Sequence, residues 1–305
     1  MRVLVSGSTG FLGTAVVETI EKGGHTVARL LRPQTAASKP ARVSEQAVQW
    51  DPVAGTFDAA AAEGADVLVH LAGASIAGGR WNASRKKLLR TSRIDATRHL
   101  MAALSKLKRP PRVIVAASAI GFYGDRGDET LTETSAPGND FLASLCREWE
   151  VETVRGTEFG ARVVSPRFGI ILAARGGALP QMALPFKFGA GGRIGSGRQW
   201  MSWLTLAEAM GIIQFAIANS ELSGPVNAVT PNPVQNADFT RVLANAMHRL
   251  ALIPAPPFAL RLALGEMADG LLLSSQRVLP SRLEHSGYKF VQPDLASALG
   301  EIFQK

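Results

Sequence analysis

The sequence predicts an α/β protein: a doubly wound parallel sheet followed by a smaller, mostly helical C-terminal lobe. Three observations predict it. The runs RVLVS (2–6), TVARLL (26–31), ADVLVHLA (65–72) and RVIVAASA (112–119) are nearly continuously apolar, as strands covered on both faces must be. Helical patterns at 11–22, 85–107 and 140–158 alternate with them, which is the β-α rhythm of a parallel sheet. After residue 173 that rhythm breaks into a glycine-rich segment and a proline-punctuated helical tail.

The elements follow in order. After the first strand, GSTGFLG makes a turn, and Phe11, Leu12, Ala15, Val16 and Ile20 then recur at helical spacing. ARVVSPRFGIIL (161–172) reads as one more strand with its exit, a helix is expected near 205–218, and GPVNAVT (224–230) is strand-like. This divides the chain into a nucleotide-binding domain over 1–172, to which 205–230 returns, and a substrate lobe made of 173–204 and 231–305. The lobe is expected to face the carboxyl edge of the sheet. No internal repeat or low-complexity tract interrupts this pattern.

Composition narrows the function classes. The 305 residues are 46% hydrophobic and 19% charged, as in folded globular proteins. No apolar run approaches the roughly 18 residues of a membrane span. The amino terminus MRVLVSGSTG is too short and too glycine-punctuated for a signal peptide, so a cytoplasmic address is expected. A lone cysteine, Cys146, agrees with a reducing compartment. The net charge of +8 fits an anionic ligand, a nucleic acid or merely a basic surface. The densest cationic group, Arg85, Lys86, Lys87, Arg90 and Arg93, lies within one helical pattern, and at 7% aromatic content no basic stripe interleaved with aromatics is visible. No nucleic-acid partner is therefore expected. The five histidines have no metal-ligand spacing, so no metal is expected either.

The turn after the first strand carries the chemistry. Gly7, Gly10 and Gly13 are spaced G-x-x-G-x-x-G around Ser8, Thr9, Phe11 and Leu12. Such a turn gathers backbone N–H groups and the positive end of a helix dipole at one point, which suits a pyrophosphate. An ordinary tight βα turn is the alternative reading. Its position between first strand and amphipathic helix is the context a Rossmann-like dinucleotide site demands. At the end of the second strand an NAD site would place a carboxylate for the ribose hydroxyl, but the chain offers Arg29 and Arg32 and no acid before Glu45. Arg32 is thus the candidate for a ribose 2′-phosphate, hence NADP(H), or else a solvated loop arginine. Arg93 falls at the centre of a core-facing stripe with Leu89, Ala96, Thr97, Leu100 and Leu104. A buried guanidinium needs a partner: an internal carboxylate, a snorkelling stem, a bound anion or the cofactor.

The stretches VLVSGSTGFLG, HLAGASIAGGRW, SAIGFYGDRGDE, DFLASLCREWE, GSGRQWMSWL, GPVNAVTPNPV and GEMADGLLLSSQRVLP together resemble the atypical extended short-chain dehydrogenase/reductases of the NAD-dependent or sugar-nucleotide epimerase family. Some of these carry the label of a SulA-type cell-division inhibitor. The resemblance runs from residue 1 to about 303. It implies a Rossmann domain, NADP(H) as cofactor and a carboxy-terminal domain of unknown function. It further implies cofactor contacts from Gly7, Ser8, Thr9, Gly10, Phe11 and Leu12, then Arg32, then Leu71, Ala72 and Gly73, then Arg93, with Ser118 and Ile171 near the nicotinamide.

Extended members of this class carry a Tyr-x-x-x-Lys pair on the helix after the SAIGFYG-like segment, with a serine or threonine nearby. Aligned on Glu150, this chain has Leu142 in place of the tyrosine and Cys146 in place of the lysine, while alignment on Tyr123 puts Ala119 at the serine. All three catalytic roles are vacant. Tyr123 and Ser118 remain as proton-donor candidates, with a pocket-closing role the alternative for Tyr123. Asp125 and Asp128 are read as turn and cap residues or as acid/base groups, and Cys146 as a small packed hydrophobe or a reactive thiol. The segment GGRIGSGRQW (191–200) resembles the loop that closes on a nucleotide-linked substrate, making Arg193, Arg198 and Gln199 its candidate contacts; a plain flexible loop is the alternative. Two functions fit: an NADP(H)-dependent oxidoreductase or epimerase on a small or nucleotide-linked substrate, and a non-catalytic NADP(H)-binding sensor or regulator.

Overall fold

In a computed structural model, residues 1–33 and 46–304 are described. The first strand, β1 (Arg2–Ser6), leads through the glycine turn into α1 (Phe11–Lys22), then β2 (Thr26–Leu31), β3 (Gln46–Gln49), a short α2 (Ala59–Ala62) and β4 (Val67–His70). Next come α3 (Ala83–Arg90), a π-turn over Thr91–Asp95, α4 (Ala96–Leu104), β5 (Val113–Ala116), β6 (Ser118–Ala119) and a 3₁₀ turn, Ile120–Tyr123. After β7 (Thr130–Leu131), α5 (Phe141–Val154) precedes β8 (Arg162–Phe168) and β9 (Ile170–Leu172). The remainder is α6 (Leu179–Lys187), β10 (Trp200–Met201), β11 (Trp203–Thr205), α7 (Leu206–Ala218), β12 (Gly224–Ala228), β13 (Val234–Gln235) and α8 (Asn236–Ala246). It ends with α9 (Pro257–Leu264), α10 (Glu266–Ala268) and a second π-turn over Asp269–Leu273, then β14 (Arg277–Val278), α11 (Ser281–His285) and α12 (Leu295–Phe303).

The main sheet runs β12-β8-β5-β4-β1-β2-β3, with β6 also on β8, and every pairing in it is parallel. From β1 the chain winds outward to β3, then returns to the other side at β4. The crevice between the carboxyl ends of β1 and β4 is therefore the switch point at which open α/β sheets bind ligands. Strand alternation decides the two cores. Val3 and Val5 face α1 and α7, packing with Val16, Val17, Ile212 and Ile213, whereas Leu4, Leu68 and Ile114 face α4 through Leu100, Met101 and Leu104. Each such side chain, once buried, contributes roughly 1.5–3 kcal/mol. A separate core joins Trp203, Phe239, Leu243 and Leu299 in the C-terminal part.

Two expected helices differ in detail. The pattern over 85–107 predicts one continuous helix, but the structure interrupts it with the π-turn at Thr91–Asp95, which buries Arg93 and Ile94 together. The pattern over 140–158 runs past its helix: α5 stops at Val154, and a 3₁₀ turn ends at Gly160 with φ +85°. The strand-like run 65–72 shortens to Val67–His70, because Leu71 and Ala72 turn away to hydrogen-bond through their N–H groups to Ser6 Oγ.

That turn is part of a buried chain fastening β1 to β4. His70, fully buried, sits with Nδ1 2.6 Å from Ser6 Oγ and Nε2 2.9 Å from Thr97 Oγ1, and Trp149 Nε1 donates to Thr97 Oγ1 at 3.0 Å. Because Ser6 Oγ accepts two amides, its proton goes to Nδ1, which leaves Nε2 to donate. Burial pushes the His70 pKa down to about 4.

Gly13→Ala is expected to lose about 3 kcal/mol or more, because a Cβ there would lie 2.0 Å from the Gly7 carbonyl oxygen. Gly24→Ala, with nothing within 4 Å but φ +76°, is expected to lose about 1–2 kcal/mol. Urea unfolding of both variants checks the order, and equal losses would remove the steric argument. For His70 the folded pKa lies below the ordinary 6.5, so its stabilisation is complete above pH 6.5 and is lost as pH falls toward 4, about 3 kcal/mol in all. Unfolding free energies measured across that window should slope more steeply for the native protein than for His70→Gln. Parallel slopes would show that His70 takes up its proton as readily in the fold as in the unfolded chain.

Candidate functional site

The glycine turn is built by steric exclusion. Gly7 has φ +67°, and a Cβ on it would meet the Leu71 carbonyl at 2.8 Å and the Ala72 nitrogen at 2.9 Å, so the β1 turn and the β4 turn touch backbone to backbone. Gly13 lies under the Gly7 carbonyl, and Gly10 would meet the same oxygen at 3.2 Å. Helix α1 begins with Gly10 as its N-cap, with no side-chain cap and no acidic residue in the first turn, which leaves its amide donors and dipole to an anion. Thr9 and Gly10 are exposed, while Ser8 is 1% exposed and its Oγ is buried with no hydrogen-bond partner. A buried hydroxyl without a partner, beside an uncapped helix N-terminus, fits an oxyanion. Phe11 packs against the loop after β9: a Cβ on Gly176 would lie 2.5 Å from its ring, and one on Gly177 3.0 Å from both that ring and the Ile171 carbonyl oxygen. Leu12 packs on the sheet core. Arg32 follows β2 and is exposed. Asp51 beyond β3 is held below the usual carboxylate range by the Ala54 and Val53 amides, with a smaller contribution from Arg32.

Arg93 lies on the other side of the crevice. The π-turn directs it inward to 9% exposure, with its Cζ 5.2 Å from the Trp149 ring and within 3.0 Å of where Gly73 would carry a Cβ. Burial lowers its pKa to about 10, which leaves it charged at neutral pH. Thus the structure brings together the turn, Leu71, Ala72, Gly73 and Arg93 at one crevice, with Phe11 and Ile171 on its rim.

The two proton-donor candidates are engaged elsewhere. Tyr123 is 0% exposed; its hydroxyl donates to Asn227 Oδ1 at 2.6 Å and accepts from Arg167 Nη1 at 2.9 Å, and burial raises its pKa. Ser118, 3% exposed, donates to Glu150 Oε1 at 2.6 Å. Neither hydroxyl faces open space: both are buried and already bonded to protein partners. The other vacated positions are filled. Leu142 and Cys146 press on the 3₁₀ turn, where a Cβ on Gly121 would meet them at 3.3 and 3.9 Å. Leu142 also packs with Trp81 and Met267. Burial, then the Glu150 charge, pushes the Cys146 thiol up to about 12, so it is an inert packed group. Asp125 and Asp128 act as ties, accepting from Ser275 N (2.9 Å) and Trp200 Nε1 (2.8 Å).

The loop at 191–199 is tied by its own side chains to backbone carbonyls. Gln199 is buried, and its amide donates to the Ile194 and Leu272 carbonyls at 3.1 Å each; it fixes the loop and has no free donor for a substrate. Arg193 donates to Ser196 O at 2.6 Å and lines a groove of about 320 Å³ with Thr240, Ala244 and Arg249. Arg198 is exposed.

Sequence reasoning missed the pair that organises this region. Arg167 of β8 binds Glu150 through Nε and Nη2 at 2.8 and 2.7 Å, and its Cζ lies 3.4 Å from the centre of the Phe122 ring. An arginine inside the apolar run ARVVSPRFGIIL was the available signal, since a strand buried on both faces admits a cation only with a partner. The histidine inside ADVLVHLA gave the same signal for the chain Ser6–His70–Thr97.

Comparison with known proteins agrees with this geometry. Residues 3–228 match the NAD dependent epimerase/dehydratase family, and residues 255–302 match a domain of unknown function, DUF1731. An epimerase family protein of Bacillus subtilis is 40% identical over 311 residues, covering 99% of this chain and 98% of the relative. The crystal structure of human epimerase family protein SDR39U1 (isoform 2) with NADPH superposes with a TM-score of 0.90 at 33% identity, covering 100% of both chains. A nucleoside-diphosphate sugar epimerase from Corynebacterium glutamicum gives 0.79 at 36% identity, over 99% of this chain and 58% of that one. The SulA-type label has no support in these likenesses. With the parallel sheet, the glycine crevice and a family match over most of its length, the chain belongs to the NAD dependent epimerase/dehydratase family.

Proposed function

We propose that the protein binds NADP(H) in the β1–β4 crevice and is an atypical extended short-chain oxidoreductase or epimerase for a small or nucleotide-linked substrate. The observation that carries the reading is the turn itself: glycines at 7, 10 and 13 whose backbone contacts leave no room, or little, for a Cβ, beside an uncapped helix and the orphaned Ser8 Oγ. These groups fit a diphosphate. The turn amides and Ser8 would hold it, Arg32 would take the adenosine 2′-phosphate, and Leu71 to Gly73 would pass beneath. The human relative crystallised with NADPH supports the choice of coenzyme.

A bound nicotinamide supplies a hydride donor or acceptor. What this chain adds is the orientation of the coenzyme against its substrate. With Tyr123 bonded to Asn227 and Arg167, and Ser118 bonded to Glu150, the reading leaves proton transfer to water and assigns no side-chain general acid. The same burial favours a second reading, a non-catalytic NADP(H)-binding regulatory protein, because Leu142 and Cys146 occupy the positions where the pair would act.

Single-turnover oxidation of bound NADPH across a panel of carbonyl compounds and sugar nucleotides separates the two readings: turnover supports the enzyme, and tight binding without turnover the regulator. Arg32→Ala is expected to weaken NADPH by roughly tenfold or more while leaving NADH little changed, measured by fluorescence titration. Equal losses would take Arg32 out of the phosphate role. Tyr123→Phe is expected to leave any turnover unchanged and to cost about 1–3 kcal/mol of stability, because Arg167 and Asn227 each lose a buried partner. Lost turnover at unchanged stability would restore Tyr123 as the proton donor.

A further inference from the structure

The C-terminal part leaves uncovered a face whose composition is unusual for a surface. Helix α9, PFALRLAL, has Arg261 as its only charged residue, and that guanidinium is turned to Asp269 at 2.9 Å. A helix apolar on every side is ordinarily buried, yet no residue of α9 is fully buried. Among the described residues, five of the fourteen exposed large apolar side chains fall within 250–262: Leu250, Leu252, Ile253, Phe258 and Leu262, each between 54 and 78% exposed. Single exposed leucines need no explanation, but a run of this kind marks an interaction surface.

The same face is cationic. Residues 179–200 and 231–265 hold Lys187, Arg193, Arg198, Arg241, Arg249 and Arg261 against one acid, Asp238, so five of the chain's eight net positive charges belong to them. Backbone bonds join the two segments: Ile253 N donates to Gly191 O at 3.0 Å, Ala255 N to Arg193 O at 2.9 Å, and Gly195 N to Ala255 O at 2.9 Å. Beside that seam lies the groove of about 320 Å³, where Arg193, Arg241 and Arg249 meet Leu250 and Leu252. Asp238 holds Arg241 at 3.0 Å, and among the described residues no carboxylate pairs with Arg193 or Arg249. The end of α8 brings Arg249 there: His248 leaves the helix at φ +53°, and Arg249 N closes the turn on Ala244 O at 2.9 Å.

Exposed apolar groups interleaved with unpaired guanidiniums match one kind of partner best. An anionic phospholipid bilayer offers phosphates to the cations and an acyl region to the apolar side chains. A second copy of the chain fits less well, because two-fold pairing of this face would bring two sets of unpaired guanidiniums together with no free acid to separate them. At eight residues α9 is about 12 Å long, a length that lies on a bilayer and does not span it. We propose that α9, residues 250–254 and the adjoining groove dock peripherally on anionic phospholipid surfaces, with Phe258 and Leu262 entering the interface and Arg193 and Arg249 holding lipid phosphates. This goes beyond the coenzyme reading and does not rest on it.

The test measures co-sedimentation of the full chain with vesicles of phosphatidylcholine, with and without phosphatidylglycerol. Wild type is expected to bind the phosphatidylglycerol vesicles at least roughly tenfold more tightly than phosphatidylcholine alone. The double variant Phe258→Asp, Leu262→Asp should lose roughly tenfold or more of that binding at an unchanged melting temperature, because both side chains are exposed. Arg249→Gln, which leaves α9 intact, should lose roughly fivefold. Lys106→Gln, at an exposed position after α4, removes the same charge elsewhere and should lose less than about twofold. Equal losses for Arg249→Gln and Lys106→Gln would show adsorption by net charge and overturn the proposal, as would a wild type left in solution by both vesicles. Sedimentation velocity without lipid tests the other occupant: wild-type dimers that the double variant turns into monomers would give this face to a second copy and overturn the assignment to lipid.

Discussion

The structure depends on one close approach, in which the backbone of the first βα turn meets both its own helix and the turn after β4. Gly7, Gly10 and Gly13 are the residues that permit it, and at Gly13 the available space is less than any side chain needs. Because the turn contacts Leu71 and Ala72, the ends of β1 and β4 are fixed relative to each other, and with them the crevice. The Ser6–His70–Thr97 chain does the same from below with hydrogen bonds, extending through Trp149 to α5. Steric contact and a buried polar chain therefore set the same geometry by independent means.

Charge is handled in two ways around this crevice. Arg167 and Glu150 form a closed network with Ser118, Tyr123 and Asn227, in which burial disfavours the guanidinium but the Glu150 carboxylate more than offsets it, so its pKa rises. Such a network rigidifies the floor and gives it no spare donor. Arg93 is the opposite case: among the described residues no carboxylate pairs with it, and burial lowers its pKa.

The segment matched to a domain of unknown function takes part in filling the region left by the missing catalytic pair. Met267 packs on Leu142, and Gly270 lies so near Trp81 and Leu142 that a Cβ there would meet the indole at 2.9 Å. Ser275 and Gln276 bond Asp125 and the Gly124 carbonyl. A proton-donating tyrosine at position 142 would have to displace this packing. Loss of the pair and docking of the C-terminal part are thus two aspects of one arrangement.

By itself the sequence determined the parallel sheet, since strands apolar on both faces can lie only between helices, and it determined the crevice, since glycines at 7, 10 and 13 mark where backbone must approach backbone. It also showed, through Leu142 and Cys146, that the usual catalytic pair is missing. Tertiary structure alone decided what the polar side chains do. Whether Tyr123, Ser118 and Gln199 face a ligand or each other depends on Asn227, Glu150 and Leu272, partners 32 to 104 residues away in the chain. The π-turn that directs Arg93 inward was likewise illegible, because helical periodicity locates a buried stripe but not an inserted residue within it. Periodicity and steric need are local and can be read along the chain, whereas hydrogen-bond partners are chosen by the fold.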